Sequence, residues 1–175
     1  PPVLSSQDNR MPTLTGSCHC QRLQLALRGS IDATATSPRA CDCSFCQAHA
    51  AAWVSDPDGE LVVTASGADA LGRYRQGSES AEFLFCRHCG VLLAVVFASD
   101  EGMRGAVNVR CLAEAGEFAP AQAVSPQQLA PEVRRERWRR LWTPVRVEVV
   151  EAFPLPLRGE RGFRAAKLRA RERQS

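Results

Sequence analysis

FCRHCG, residues 85 to 90, places two cysteines on either side of Arg87 and His88 and follows them at once with a glycine. Two thiols separated by two residues converge on one point where the chain turns tightly, and Gly90 can take the positive φ that such a turn needs. The segment reads as a metal knuckle. One knuckle supplies two ligands and a tetrahedral ion needs four; GSCHC (16–20) offers the rest as Cys18 and Cys20. The expected structural zinc site is therefore Cys18, Cys20, Cys86 and Cys89. Closing so long a loop on zinc stabilises a fold strongly, since structural zinc contributes about 10–16 kcal/mol in apparent terms. A residue between two cysteines on an extended segment points away from both, so His19 is expected outside the ligand set, and the same reading is applied to His88.

The chain has eight cysteines in 175 residues, too few for a disulfide scaffold in a protein large enough to bury a core. Three fall together in CDCSFC (41–46), and Cys111 stands alone. Tight clusters suit a metal, whereas disulfide partners are usually scattered. With the first zinc assigned, Cys41, Cys43 and Cys46 remain as a set of three. Three protein ligands and a vacancy characterise catalytic zinc, while closed sets of four characterise structural zinc. His49, three residues past Cys46, or Cys111 would close the site; the open arrangement is the expectation. Three thiolates leave the zinc unit formally at −1, which disfavours acidifying a bound water. Such a site is better suited to holding a thiol as a deprotonated nucleophile, so the expected partner is a small thiol or thiol adduct.

Around these motifs the chain reads as mainly β. LQLAL (23–27) alternates apolar and polar residues, and AEFLF (81–85), LVVTA (61–65), LLAVVF (92–97) and AVNVR (106–110) are short strand-like runs. No long helix separates them, which predicts antiparallel pairing. A Pro- and Ala-rich stretch, 117–131, reads as a surface excursion. EVRRERWRRLW (132–142) then spaces Val133, Trp138, Leu141 and Trp142 as an apolar stripe on a short basic helix that Pro144 ends. VRVEVVEAF (145–153) alternates again as a late strand. The expected division is an upstream extension or expression remnant over 1–13, a zinc domain over 14–153, and a basic tail over 154–175 with the composition of a disordered segment. Trp53 reads as a core or rim aromatic that could also wall a pocket, Tyr74 as a buried strand residue, and Cys111 as a small buried apolar group.

GSCHC (16–20), CDCSFCQ (41–47), LGRYRQG (71–77), FCRHCG (85–90) and VNVRCL (107–112) occur in the order found in the glutathione-dependent formaldehyde-activating enzyme and centromere protein V family, which the chain resembles over about residues 14–112. The resemblance implies an Mss4-like fold, a β body clamped by zinc, with Cys18, Cys20, Cys86 and Cys89 as the structural site. It implies a second zinc at Cys41, Cys43 and Cys46, hence two per chain, and carbon–sulfur lyase chemistry such as formation of S-(hydroxymethyl)glutathione from formaldehyde and glutathione. Two positions depart from the usual pattern: Gln21 replaces a common glycine and Gln47 a common basic residue.

The net charge of +3 is unevenly spread. Segments 132–140 and 158–173 together carry +8, leaving −5 elsewhere. This supports an alternative: a non-catalytic zinc-stabilised module contacting nucleic acid or an acidic partner through its basic helix and tail. No run is apolar enough for a membrane span, and the start lacks the order of a secretion signal, so the expected location is cytoplasmic.

Overall fold

The structure, a computed structural model, describes residues 11–151. Residues 1–10 and the basic tail 154–175 lie outside the described residues. Eleven strands follow in order: β1 (Thr13–Ser17), β2 (Leu23–Arg28), β3 (Arg39–Cys41), β4 (Ala52–Val54), β5 (Glu60–Ser66), β6 (Leu71–Arg75), β7 (Glu82–Cys86), β8 (Leu92–Ser99), β9 (Gly102–Asn108), β10 (Gln122–Val124) and β11 (Thr143–Val150). Two short helices interrupt them, α1 (Ser44–Ala48) and α2 (Pro131–Leu141). The architecture is mainly β, and with its two cysteine clusters it fits the Mss4-like expectation.

The strands expected from alternation all form. Neighbours in sequence pair antiparallel, as in β1 with β2, β6 with β7, β7 with β8 and β8 with β9. Two pairings are instead parallel: β11 runs beside β5 from Val145↔Leu61 to Val150↔Ser66, and β10 runs beside β3. In each, a long stretch of chain separates the partners, which is the condition for a parallel crossover. The 106–110 run ends its strand at Asn108, and Val109–Cys111 forms a single 3-10 turn.

The main core is aliphatic, built from alternate residues of β2, β5, β8 and β9 with Leu23, Leu61, Val63, Leu93 and Val107 fully enclosed. A second, aromatic cluster joins Trp53, Phe83, Phe97 and Trp142 with Cys46. Gly16 is required by a close approach: a Cβ there would lie 2.2 Å from the Cys111 carbonyl oxygen, where the end of β1 meets Leu112. The glycine of the first cysteine motif thus lets the 3-10 turn seat against it.

Strand β11 starts immediately after α2 and is fixed at that corner by buried polar contacts. Asp56 N donates to Thr143 Oγ1 at 2.8 Å, Ser55 Oγ to the Leu141 carbonyl at 2.6 Å, and Arg104 Nη1 to the Trp142 carbonyl at 3.0 Å. Pro144 therefore lies inside the strand, opposite Arg104, rather than closing the helix. The helix instead ends at Leu141, with the Trp142 N–H bonded back to Trp138.

Asp56 ties this corner to β2. Its carboxylate accepts from Ser30 N, Ser30 Oγ and Asp58 N. Burial pushes the carboxyl pKa up, and the three donors outweigh it, so it lies below the ordinary carboxylate value. A depressed pKa gives stability that is present above the unfolded value and lost as pH falls through the folded one. Asp56→Ala is expected to cost about 2 kcal/mol or more at neutral pH by orphaning these donors. In urea unfolding, the gap between wild type and variant should narrow as the pH drops below about 4.

Candidate metal centres and the pocket beside them

The first cluster assembles at the ends of two hairpins. Cys18 follows β1, Cys86 ends β7, and Cys20 and Cys89 lie on the turns beyond. The four Sγ atoms lie within 4.8 Å of one another, with Cys18–Cys20 at 3.6 Å and Cys20–Cys86 at 3.5 Å. A disulfide requires about 2.0 Å. Four sulfurs at about 2.3 Å from a tetrahedral zinc stand about 3.8 Å apart, so this spacing fits the ion. All eight thiols are free. Burial of these crowded thiols drives the Cys18 and Cys86 pKa values up.

Backbone geometry explains how each motif closes. Gly90 adopts φ +75° and donates its N–H to the Cys86 carbonyl at 2.8 Å, as the knuckle reading requires. At the opposite turn Gln21, not a glycine, adopts φ +63° and donates to the Cys18 carbonyl at 3.0 Å. The site therefore asks for a left-handed residue where this chain spends a side chain. His19 is exposed outside the cluster, and His88 pairs with Asp69 through Nε2 at 3.3 Å.

The second cluster straddles α1. Cys41 ends β3, Cys43 caps the helix by accepting from Cys46 N at 3.4 Å, and Cys46 is buried in the first turn. Their Sγ atoms likewise lie within 4.8 Å of one another. Among the described residues neither of the proposed closing ligands joins them. His49 is exposed, with its ring against Phe45 at 4.7 Å between centroids. Cys111 is buried elsewhere, donates to the Leu92 carbonyl at 3.3 Å, and is pushed up to about 12 by burial. Within the trio the neighbouring Cys46 holds the Cys41 pKa below the ordinary thiol value, while the neighbouring Cys41 and burial raise that of Cys46.

Both clusters can hold a metal ion, and the second opens onto a pocket. A cavity of about 190 Å³ is lined by all three of its cysteines. Trp53, Phe83, Trp138 and Trp142 form apolar walls, and Arg39, Arg134 and Arg137 supply cationic groups. Gln76 Nε2 donates to Cys43 Sγ at 3.4 Å. Gln127 lies beside Cys41 and also bonds Asp42, which accepts from Ser125 Oγ as well. The Pro- and Ala-rich stretch is therefore more than an excursion, since β10 docks on β3 and Val124, Pro126 and Gln127 reach the pocket. Trp53 is both core and wall, at 6% exposure.

Two expectations fail here for identifiable reasons. Tyr74 is 45% exposed, because it stacks on Phe45 from the open edge strand β6, at 4.9 Å between ring centroids. Val133 is 55% exposed and does not belong to the apolar stripe, which is carried by Trp138, Leu141 and Trp142 alone. The sequence reading also missed Arg39, Gln76, Arg134 and Arg137 as pocket residues. Spacing held a signal for the last two, since 134, 137, 138 and 141 share one helix face.

In comparison with known proteins, the family model described as "Glutathione-dependent formaldehyde-activating enzyme" matches residues 13–130. A crystal structure of a Rhodobacter sphaeroides protein is 32% identical, covering 56% of this chain and 86% of its own, with a TM-score of 0.44. No curated protein matches the chain.

Gln21→Gly should be neutral to about 1 kcal/mol stabilising, because relief of left-handed strain is partly offset by the entropy of glycine. Gln21→Val should destabilise by more than that. Thermal unfolding of the two variants beside wild type checks the pair.

Proposed function

Because the chain belongs to the glutathione-dependent formaldehyde-activating enzyme family, we propose that it is a zinc-dependent carbon–sulfur lyase acting on a thiol adduct of the S-(hydroxymethyl)glutathione type. Membership of this family supports an enzyme in general. The observation that carries it is the trio of thiols lining a walled pocket.

In this reading Cys18, Cys20, Cys86 and Cys89 hold a structural zinc. Cys41, Cys43 and Cys46 hold a second, which supplies a soft Lewis-acidic position that keeps a substrate sulfur deprotonated. The chain's own contribution is enclosure and polarity. Trp53 and Phe83 shield one side of the sulfur position from water, and Gln76 donates to Cys43 Sγ, drawing charge from it. In the cleavage direction the adduct's hydroxyl proton is lost, its C–O bond becomes the carbonyl, and the C–S electron pair returns to sulfur. The described residues lining the pocket include no carboxylate and no histidine, so this proton passes to solvent through the open mouth. Eight unpaired thiols suit a reducing, cytoplasmic setting.

No observation favours the nucleic-acid reading of α2. Three of its five arginines pair within the helix, Arg135 with Glu132 and Arg139 and Arg140 with Glu136, while Arg134 and Arg137 line the pocket.

Metal analysis is expected to find two zinc ions per chain. Cys46→Ala should retain one and stay folded, whereas Cys86→Ala should lose stable folding, given the roughly 10–16 kcal/mol that structural zinc contributes. On cobalt-substituted protein, glutathione should shift the sulfur-to-metal bands of the wild type and leave those of Cys46→Ala unmoved. Bands indifferent to thiol in the wild type would overturn the proposal.

A further inference from the structure

The arginines of the pocket form a set that the described structure does not balance. Arg39 Nη2 donates to Ser55 Oγ at 2.6 Å, and Arg134 Nη2 donates to Ser78 Oγ at 2.8 Å. Both partners are neutral hydroxyls. Among the described residues no carboxylate lies in an ion pair with Arg39, Arg134 or Arg137, although every other arginine of α2 has one. Arg134 Nε is moreover buried without a hydrogen-bond partner. A guanidinium donates in a fork that matches a carboxylate, and leaving a buried donor unused is costly.

Their placement is rigid. Arg134 lies over the Trp138 ring at 5.6 Å, Trp138 stacks on Trp142 at 4.8 Å, and the end of the helix is bonded to Ser55 and Arg104. Arg39 enters from β3, two residues before Cys41. The cations therefore share with the sulfur trio one small cavity, whose lining also includes the apolar side chains of Trp53, Phe83, Trp138 and Trp142.

We propose that Arg39, Arg134 and Arg137 are specificity-determining residues that bind the carboxylate of the substrate, making the preferred ligand a thiol with an apolar skeleton and an anionic end. The inference rests on the reading of Cys41, Cys43 and Cys46 as the sulfur-binding centre. Two of the three arginines come from α2, beyond the 13–130 stretch that matches the family. The pocket is thus completed by a segment outside the family match.

The test uses the full chain, cobalt-substituted, titrated with 3-mercaptopropionate and with its methyl ester, which share a skeleton and differ in charge. Binding is read from the sulfur-to-metal bands. The acid is expected to bind about tenfold or more tightly than the ester, as one charge-assisted contact would give. In R134Q/R137Q the acid should fall to the level of the ester, the ester should bind as in wild type, and R134K/R137K should recover part of the preference. Equal binding of acid and ester by wild type would overturn the inference and leave the proposed function standing. A parallel loss of both ligands in R134Q/R137Q would also overturn it, by giving the arginines a structural role. If neither ligand moves the bands, the sulfur-binding reading fails and the inference with it.

Discussion

Four sulfurs drawn to one point hold the two ends of this fold together. Cys20 and Cys86 are 66 residues apart in sequence and 3.5 Å apart in space. Nothing else crosses that gap as economically, because the hairpins they end, β1–β2 and β7–β8, belong to different parts of the curled sheet. The local backbone serves this convergence. Leu23 N donates to Cys18 Sγ at 3.3 Å, Gly90 folds the knuckle, and Gln21 accepts a left-handed conformation to turn the first pair. A metal ion held there would offset the entropy of closing the intervening loop, leaving hydrophobic burial to fix the strands between.

That arrangement leaves the second cluster free for other work. Its three cysteines come from one contiguous segment, so they close no long loop and add little to the ordering of the chain. Their cost is electrostatic, since ionising one thiol in a half-buried space disfavours ionising the next, as Cys41 does to Cys46. A cluster that contributes little to folding, yet lies open to a walled cavity, supports the proposal that chemistry is done at that cavity. The aromatic side chains around it serve both roles. Phe83 packs on Phe45 to hold α1 to the sheet, at 4.5 Å between centroids, and presents a face to the pocket as well.

Much of this was legible in the sequence because the decisive signals were local. Period-two alternation located β2 and β11, short β-rich runs located β5, β7 and β8, and cysteine spacing separated a set of four from a set of three. What was not legible depended on distant pairing. The parallel joining of β11 to β5 leaves no mark in either strand, since both alternate in the same way whichever direction the neighbour runs. The exposure of Tyr74 likewise followed from β6 being paired on one side only, a property of the sheet and not of LGRYR. Whether His49 faced the trio turned on the single helical turn of α1, where its ring lies tilted against Phe45 instead.

The arginines of α2 show why composition alone misleads about charge. Five in nine residues read as a basic stripe suited to phosphate, and the count is correct. Glu132 and Glu136, however, stand at i,i+3 and i,i+4 spacings to Arg135, Arg139 and Arg140, so the exposed surface of the helix is largely self-neutralised. The unbalanced charge is on the other side, where Arg134 and Arg137 share a face with Trp138 and Leu141. An isolated helix would turn that mixed face to water. It turns inward here because Trp142, Thr143 and Ser55 pin the helix end to the sheet, and the Trp138 indole, stacked beneath Arg134, fills the space between the cation and Phe97. Cations held against aromatic rings in a shared cavity are poorly hydrated, which strengthens their attraction for an anion brought in from solvent.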